Sequence, residues 1–119
     1  MRIIGVNTTL ACINQKLSMQ SNSLLMISKG SLLLNNTNIT VDSGSEIQLR
    51  NRSWIIGDSS SQIVLMEDGR IRVLGKSAGI RGNVMNVAGI LSCDTISFSV
   101  SGNYSQSPYG TLVMRKSAR

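Results

Sequence analysis

Apolar residues recur at intervals of eight along the middle of this chain. The first series consists of isoleucines: Ile39, Ile47, Ile55, Ile63 and Ile71. A second series follows two residues after each isoleucine and is almost entirely aliphatic: Val41, Leu49, Gly57, Leu65 and Val73. Small residues stand two positions before the later isoleucines, at Ser45, Ser53, Ser61 and Gly69. Because alternate side chains of a strand point to opposite faces, an even repeat keeps all the isoleucines on one side. Each octad therefore predicts a short strand followed by a tight turn.

Strand patterns on either side of the octads are less regular. Leu24–Ile27 and Ser31–Leu34 predict strands before them, and Thr95–Val100 and Thr111–Met114 predict strands after a glycine-rich stretch. Ile96, Phe98 and Val100 are the expected inward positions, and residues 102–108 read as a polar loop. We therefore divide the chain into an irregular N-terminal docking segment (1–23), a β-helical domain (24–114) and a basic tail (115–119). Within the first segment, residues 2–6 suggest a strand, and residues 10–19 fit a strand or a short helical turn.

Three all-β architectures accommodate an unbroken repeat of eight. In the first, three identical chains intertwine as a three-sided prism, and their isoleucines meet on a shared axis. In the second, one chain winds alone with about 24 residues per coil, so that Ile39 stacks on Ile63 and Ile47 on Ile71. In the third, consecutive octads are antiparallel strands of a meander. Because the repeat carries no insertion, and a solenoid penalises insertions, we favour a β-helix and expect an intertwined homotrimer.

Composition and charge limit the classes of partner that we expect this chain to bind. The chain has 119 residues, a net charge of +6 and few aromatic side chains. Nine of its twelve basic residues fall into three groups: Arg50 with Arg52; Arg70, Arg72, Lys76 and Arg81; and Arg115, Lys116 and Arg119. Binders of single-stranded nucleic acid interleave cations with stacking aromatics, and this chain lacks that pattern. We therefore interpret the charges as solvated surface residues and expect no nucleic-acid partner.

The reactive side chains form no recognisable catalytic set. Histidine is absent, which removes the commonest general base and metal ligand. The six carboxylates fall mainly at predicted turns. We therefore expect no enzyme activity, no cofactor and no metal site. Cys12 and Cys93 are interpreted as free thiols, because no secretion signal supports a disulfide. Trp54 occupies an outward octad position, where anchoring a partner and covering the strand below are equally compatible with the sequence.

Two stretches resemble a known family. The run SQIVLMEDGRIRVLGK (61–76) and the run IRGNVMNVAGIL (80–91) are similar to the β-helical spike at the tip of contractile phage tails and type VI secretion devices. This resemblance implies a rigid homotrimeric needle of the virion, docked on a tail or baseplate protein through its N-terminal region and directed at a bacterial envelope. Two features depart from the family: the chain has no His-x-His apical site and no room for a preceding oligosaccharide-binding barrel.

A bactofilin-like scaffold is the alternative resemblance. Those bacterial cytoplasmic proteins are of similar size, fold as β-helices and stack end to end into filaments. The glycine-rich stretch 79–102 is compatible with that family, whereas the strict octad fits it less well.

Overall fold

The computed structural model describes residues 4–5, 9–20, 22–74, 78–93, 98–101 and 104–114. These residues form short strands, and no helix is present among them. The strands are β1 (Ile4–Gly5), β2 (Thr9–Ile13), β3 (Lys16–Met19), β4 (Leu24–Ile27), β5 (Ser31–Asn35), β6 (Asn38–Val41), β7 (Glu46–Leu49), β8 (Trp54–Gly57), β9 (Gln62–Leu65), β10 (Arg70–Val73), β11 (Ala78–Arg81), β12 (Asn83–Asn86), β13 (Ile90–Cys93), β14 (Phe98–Ser101), β15 (Tyr104–Gln106) and β16 (Thr111–Met114).

Each strand pairs in parallel with the strand three places further along the chain. The first sheet has the order β1-β4-β7-β10-β13-β16, the second β2-β5-β8-β11-β14 and the third β3-β6-β9-β12-β15. Three consecutive strands therefore make one coil, and successive coils stack into a three-sided β-solenoid. This confirms the predicted all-β, β-helical fold. We call the turns between the sheets the 1–2 corner, the 2–3 corner and the 3–1 corner, after the sheets that they join.

The register matches the single-chain alternative. Ile39 pairs with Ile63 and Ile47 pairs with Ile71, each in a parallel ladder. The antiparallel meander is therefore wrong. The isoleucines meet inside one chain and not on an axis shared by three, so the intertwined form that we expected is not the arrangement found. Association of complete solenoids into a trimer stays a prediction.

The predicted inward positions form the core. The five isoleucines and the four aliphatic residues of the second series are each at most 1% exposed. They continue into the flanking coils through residues such as Met19, Leu32, Ile80 and Leu91, which belong to the same hydrophobic cluster. Full burial of one such side chain contributes about 1.5–3 kcal/mol. Any part that these residues play in oligomerisation stays a prediction.

Small polar side chains fill the corners and join one coil to the next. Thr37, Ser45, Ser53 and Ser61 are at most 2% exposed. The Ser45 hydroxyl accepts a hydrogen bond from the backbone N–H of Ser23 in the preceding coil, at 3.1 Å. The Ser61 hydroxyl accepts one from the backbone N–H of Thr37, at 3.0 Å. Because a buried N–H without a partner costs about 1–3 kcal/mol, these hydroxyls are structural.

Two parts of the chain are more regular than the sequence suggested. In the segment 1–23, the described residues form β1, β2 and β3, which pair in register with β4, β5 and β6. This segment is therefore part of the solenoid and not an irregular extension, although a docking role for it remains untested. The expected polar loop 102–108 contains β15, which pairs with β12. Residues 94–97 and the tail 115–119 lie outside the described residues, as do the side chains of Ile96, Phe98 and Val100.

Candidate functional site

The carboxylates are distributed over different edges of the solenoid. Asp42, Glu67 and Asp68 lie at the 3–1 corner, Glu46 lies on the first sheet and Asp58 lies at the 2–3 corner. Within the described ranges, no group of three or more histidine, cysteine or carboxylate side chains is placed to hold a metal ion. Asp94 is outside the described residues. The geometry therefore places four of these five acids at turns, the same four for which the sequence predicted turns.

Asp58 has the most elaborate surroundings of these acids. Its Oδ1 accepts hydrogen bonds from the Ser61 hydroxyl at 2.7 Å and from the Ser60 backbone N–H at 3.1 Å. Both carboxylate oxygens lie 3.2 Å from the backbone nitrogen of Asn36 in the preceding coil. The Ser61 hydroxyl has the largest effect and lowers the pKa of the Asp58 carboxyl; burial opposes it, and hydrogen bonds from backbone N–H groups lower the pKa further. Asp58 is thus a corner clamp that holds two coils together.

The two cysteines cannot form a disulfide with each other in this fold. Cys12 lies on β2 and Cys93 on β13, more than three coil spacings apart, which is on the order of 15 Å at about 4.8 Å per strand. A disulfide requires Cα atoms within about 7 Å. Cys12 is a free thiol packed half-buried against the core. The free-thiol interpretation is therefore consistent with the position of Cys12 and stays a prediction.

Three shallow grooves have similar sizes but different chemistry: one at the 3–1 corner beside the first sheet, one at the 2–3 corner beside the third sheet and one on the outer face of the second sheet. The first-sheet groove, about 480 Å³, is lined mainly by polar atoms of residues such as Glu46, Asp68 and Arg70. The third-sheet groove, about 440 Å³, is also polar and includes Gln62 and Asn83. The second-sheet groove, about 430 Å³, is predominantly apolar. Its outer lining consists of Ala11, Ile13, Leu33 and Ile56, with Asp58 at one end.

Trp54 lies beside this apolar groove, on the outer side of the second sheet. Its indole is partly buried, and the Arg81 guanidinium carbon stands 5.0 Å from the ring centroid. A cation over an aromatic face contributes about 0.5–1 kcal/mol at an exposed site. Trp54 therefore covers its strand and remains partly accessible, so both interpretations from the sequence stay open.

The structure adds a lysine to one of the predicted basic groups. Lys29 lies at the 1–2 corner directly below Arg50 and Arg52, and its backbone N–H donates to the Asn51 carbonyl at 2.8 Å. All three side chains are exposed. Sequence reasoning missed Lys29 because it precedes Arg52 by nearly one coil. Arg72, by contrast, pairs with Glu46 across neighbouring strands of the first sheet, with a nitrogen–oxygen distance of 3.8 Å.

Comparisons with protein-family models, with curated proteins and with solved structures returned no match to this chain. Among the described residues, no helix has the length and apolar character needed to cross a membrane.

Proposed function

We propose that this chain is a structural spike or fibre protein of a phage tail or a related injection device. The observation that carries the proposal is the continuous parallel ladder, in which inward aliphatic residues of successive coils lie in register. The hydrogen bonds between strands run along the solenoid axis, and the corner hydroxyls reinforce them between coils. Such a cross-linked prism resists bending and compression, which suits attachment to a bacterial envelope or its penetration.

The proposal includes a non-enzymatic role. Two of the described carboxylates hold backbone turns: Asp58 accepts hydrogen bonds from the backbone N–H groups of Asn36 and Ser60, and Asp42 accepts one from the backbone N–H of Ser43. The grooves on the sheets are shallow and open, so they do not shield a reacting group from water. These positions support a mechanical role and binding to other molecules through the outer surface of the solenoid.

Hydrodynamic mass tests the spike proposal. We expect the full chain to sediment as a trimer of its 12.8 kDa mass and to resist dissociation by dodecyl sulfate without heating. Negative-stain images should show discrete particles of fixed length. A monomer at all concentrations, or polymers of open-ended length, would count against a spike.

A filament-forming scaffold of the bacterial cytoplasm is the second candidate, and the ends of the solenoid favour it. Among the described strands, β2 and β3 each have a hydrogen-bonded neighbour on one side only, as do β15 and β16 at the other end. An unpaired strand edge is a template for another strand.

The two candidates differ in how length depends on concentration. A scaffold built by end-to-end stacking should give filaments of constant width whose mean length grows with protein concentration. A spike should keep one mass over the same range. The sedimentation series above therefore decides between them in a single experiment.

A further inference from the structure

Cations cluster along the edge of the prism where the first and second sheets meet. The 1–2 corner carries Lys29 in one coil and Arg50 and Arg52 in the next, and all three are exposed. Trp54 begins β8 directly after this corner, and Arg81 of the following coil lies over its indole ring. We call Lys29, Arg52, Trp54 and Arg81 the cationic corner. One edge of the solenoid therefore combines three exposed positive charges with one partly exposed aromatic ring.

The acids of the molecule do not neutralise the cationic corner. Glu46 begins β7, at the end away from this corner, and pairs with Arg72. Asp58 lies beyond the far end of β8, and the other described acids lie at the 3–1 corner. The described residues of the 1–2 corner include no carboxylate. In the described part of the chain, the side chains of Lys29 and Arg52 have no ion-pair partner, so both charges are open to a ligand.

The backbone at two of these cations favours shorter side chains. Lys29 has a φ of 53° and Arg52 a φ of 54°, both in the left-handed region. The other described non-glycine residues with a positive φ are all short and polar: Asn14, Asn22, Asn36, Ser43 and Asp68. Asparagine and aspartate adopt this conformation at lower cost than a long side chain does. Residues in costly backbone conformations cluster at functional sites, so a ligand explains the two long cations better than the turns do.

Lys29 and Arg52 follow one another along the rod. The backbone N–H of Lys29 donates to the Asn51 carbonyl at 2.8 Å, and that of Trp54 donates to the Gly30 carbonyl at 3.0 Å. These hydrogen bonds stack the two turns, so the backbones of the two cations are separated by about one coil spacing, ~4.8 Å. Arg81 lies one coil further along. A row of cations along an edge matches a linear polymer that carries several anionic groups.

Trp54 indicates which kind of polyanion fits this edge. Its neighbours in the ladder are Ser31 and Gly79, which are too small to cover the indole. A sugar ring packs its C–H groups against an indole, while its carboxylate accepts hydrogen bonds from a guanidinium. Single-stranded nucleic acids stack successive bases on several aromatic side chains, and Ser31 and Gly79 provide none beside Trp54. One aromatic ring within a row of cations therefore favours an acidic polysaccharide.

We propose that the cationic corner binds an acidic polysaccharide, with a sugar ring against Trp54 and acidic groups on the three cations. The inference deepens the proposed function by naming a class of partner in the bacterial envelope. It rests on that function only for the source of the glycan. Binding along one edge of the solenoid requires neither a trimer nor a filament.

The fluorescence of Trp54 reports on binding directly, because this is the only tryptophan of the chain. Titration with polygalacturonate should change the emission of Trp54, and the dissociation constant should rise with salt concentration because the contacts are ionic. Fully methyl-esterified polygalacturonate has the same sugar rings without the charges. It should bind about tenfold more weakly or less tightly still.

Matched substitutions separate a role in binding from a role in the fold. Lys29→Asn with Arg52→Asn introduces the residue that most often has a positive φ at the other corners. The dissociation constant for polygalacturonate should rise about tenfold or more, while the midpoint of thermal unfolding stays unchanged or rises. Lys16→Gln with Arg70→Gln removes two exposed cations from the third and first sheets. This control should leave the dissociation constant within about threefold at physiological salt.

Several results would overturn the inference. One is a methyl ester that binds as tightly as polygalacturonate, and another is a Lys29→Asn, Arg52→Asn variant that binds like wild type. A lower thermal midpoint for that variant would show that the fold needs the two cations. Tighter binding of a twenty-residue oligothymidylate would assign the corner to nucleic acid. None of these results changes the mass of the assembly, so failure of the spike proposal is recognised separately by sedimentation.

Discussion

The octad region and the coils that flank it build the same three-sided core from different numbers of residues. In the middle, Ile39 and Ile63 pair across a step of 24 residues. Before it, Leu17 and Ile39 pair across 22, and after it, Val84 and Tyr104 pair across 20. The inward positions stay aligned through all of these changes. The strands therefore determine the register, whereas the lengths of the corners determine the length of the repeat.

The 2–3 corner shows how the difference arises. Two residues, Asn36 and Thr37, join β5 to β6, whereas four residues join β8 to β9 and Gly82 alone joins β11 to β12. Asn36 has a φ of 48°, in the left-handed region that asparagine tolerates better than most residues. That conformation lets the chain turn within two residues. The octad repeat is thus regular only where every corner has four residues.

The core composition also changes between the two regions. The position occupied by Val41 and Leu65 in the third sheet holds Asn86 in the next coil, and Asn86 is fully buried. Its side-chain nitrogen donates to the Tyr104 hydroxyl and the Thr111 carbonyl, and its oxygen accepts from the Gly89 N–H. The C-terminal coils thus use a hydrogen-bonded polar side chain where the middle uses aliphatic packing.

Truncation of a core residue should give the largest difference in stability between the middle coils and the first coil. Ile63 packs between Ile39 and Val84 and is 1% exposed, so Ile63→Ala should lower the free energy of unfolding by about 4 kcal/mol. Leu17 lies in the first coil, is only partly buried and has a described neighbour on one side. Leu17→Ala should cost about 1 kcal/mol. Urea unfolding measures both, and equal costs would show that the first coil is as tightly packed as the middle.

A methyl group at a corner should have the next largest effect. A Cβ added at Gly69 would lie 2.0 Å from the backbone oxygen of Val41, which cannot move without breaking the ladder. Gly69→Ala should therefore cost about 3 kcal/mol. The control is Gly82→Ala, where the nearest atom would be the Gly57 nitrogen at 3.4 Å. Thermal unfolding should show a clear loss for the first variant and little change for the second; similar losses would contradict the steric account.

Shortening a corner tests whether strands or repeat length carry the register. Removal of residues 59–60 leaves Asp58 next to Ser61, which reproduces the two-residue form of Asn36 and Thr37. We expect the variant to fold with a loss of about 1 kcal/mol, since loop length itself contributes little. Removal of Val64 and Leu65 instead shortens β9 and should abolish cooperative unfolding. A folded second variant, or an unfolded first one, would show that the octad spacing itself is required.

These contrasts explain what the sequence could and could not predict. The isoleucine series was informative because the four-residue corners keep it in phase. Leu17 and Met19 hold the same inward positions as Ile39 and Val41 but stand 22 residues earlier, so a search at multiples of eight misses the first coil. β15 was missed because its Ser105 and Gln106 are polar, and only its pairing with β12 reveals the strand. Lys29 was missed for a related reason. The lengths of the corners set the number of residues in a coil, and only that number places Lys29 beside Arg52.

The smallest expected effect concerns the Asp58 clamp, which exists only at the four-residue form of the 2–3 corner. Because the Ser61 hydroxyl lowers the pKa of Asp58 in the folded state, the carboxylate stabilises the protein above its unfolded value near 3.8, and the contribution fades as the pH falls through the folded value. Asp58→Asn should therefore be less stable than wild type at pH 7, with the difference shrinking below about pH 4. The sign of this pH dependence follows because the Asp58 carboxylate binds a proton more readily in the unfolded chain than in the folded protein. A stability gap between wild type and Asp58→Asn that stays constant from pH 7 to pH 3 would mean that the asparagine reproduces the hydrogen bonds and that charge adds nothing at this corner.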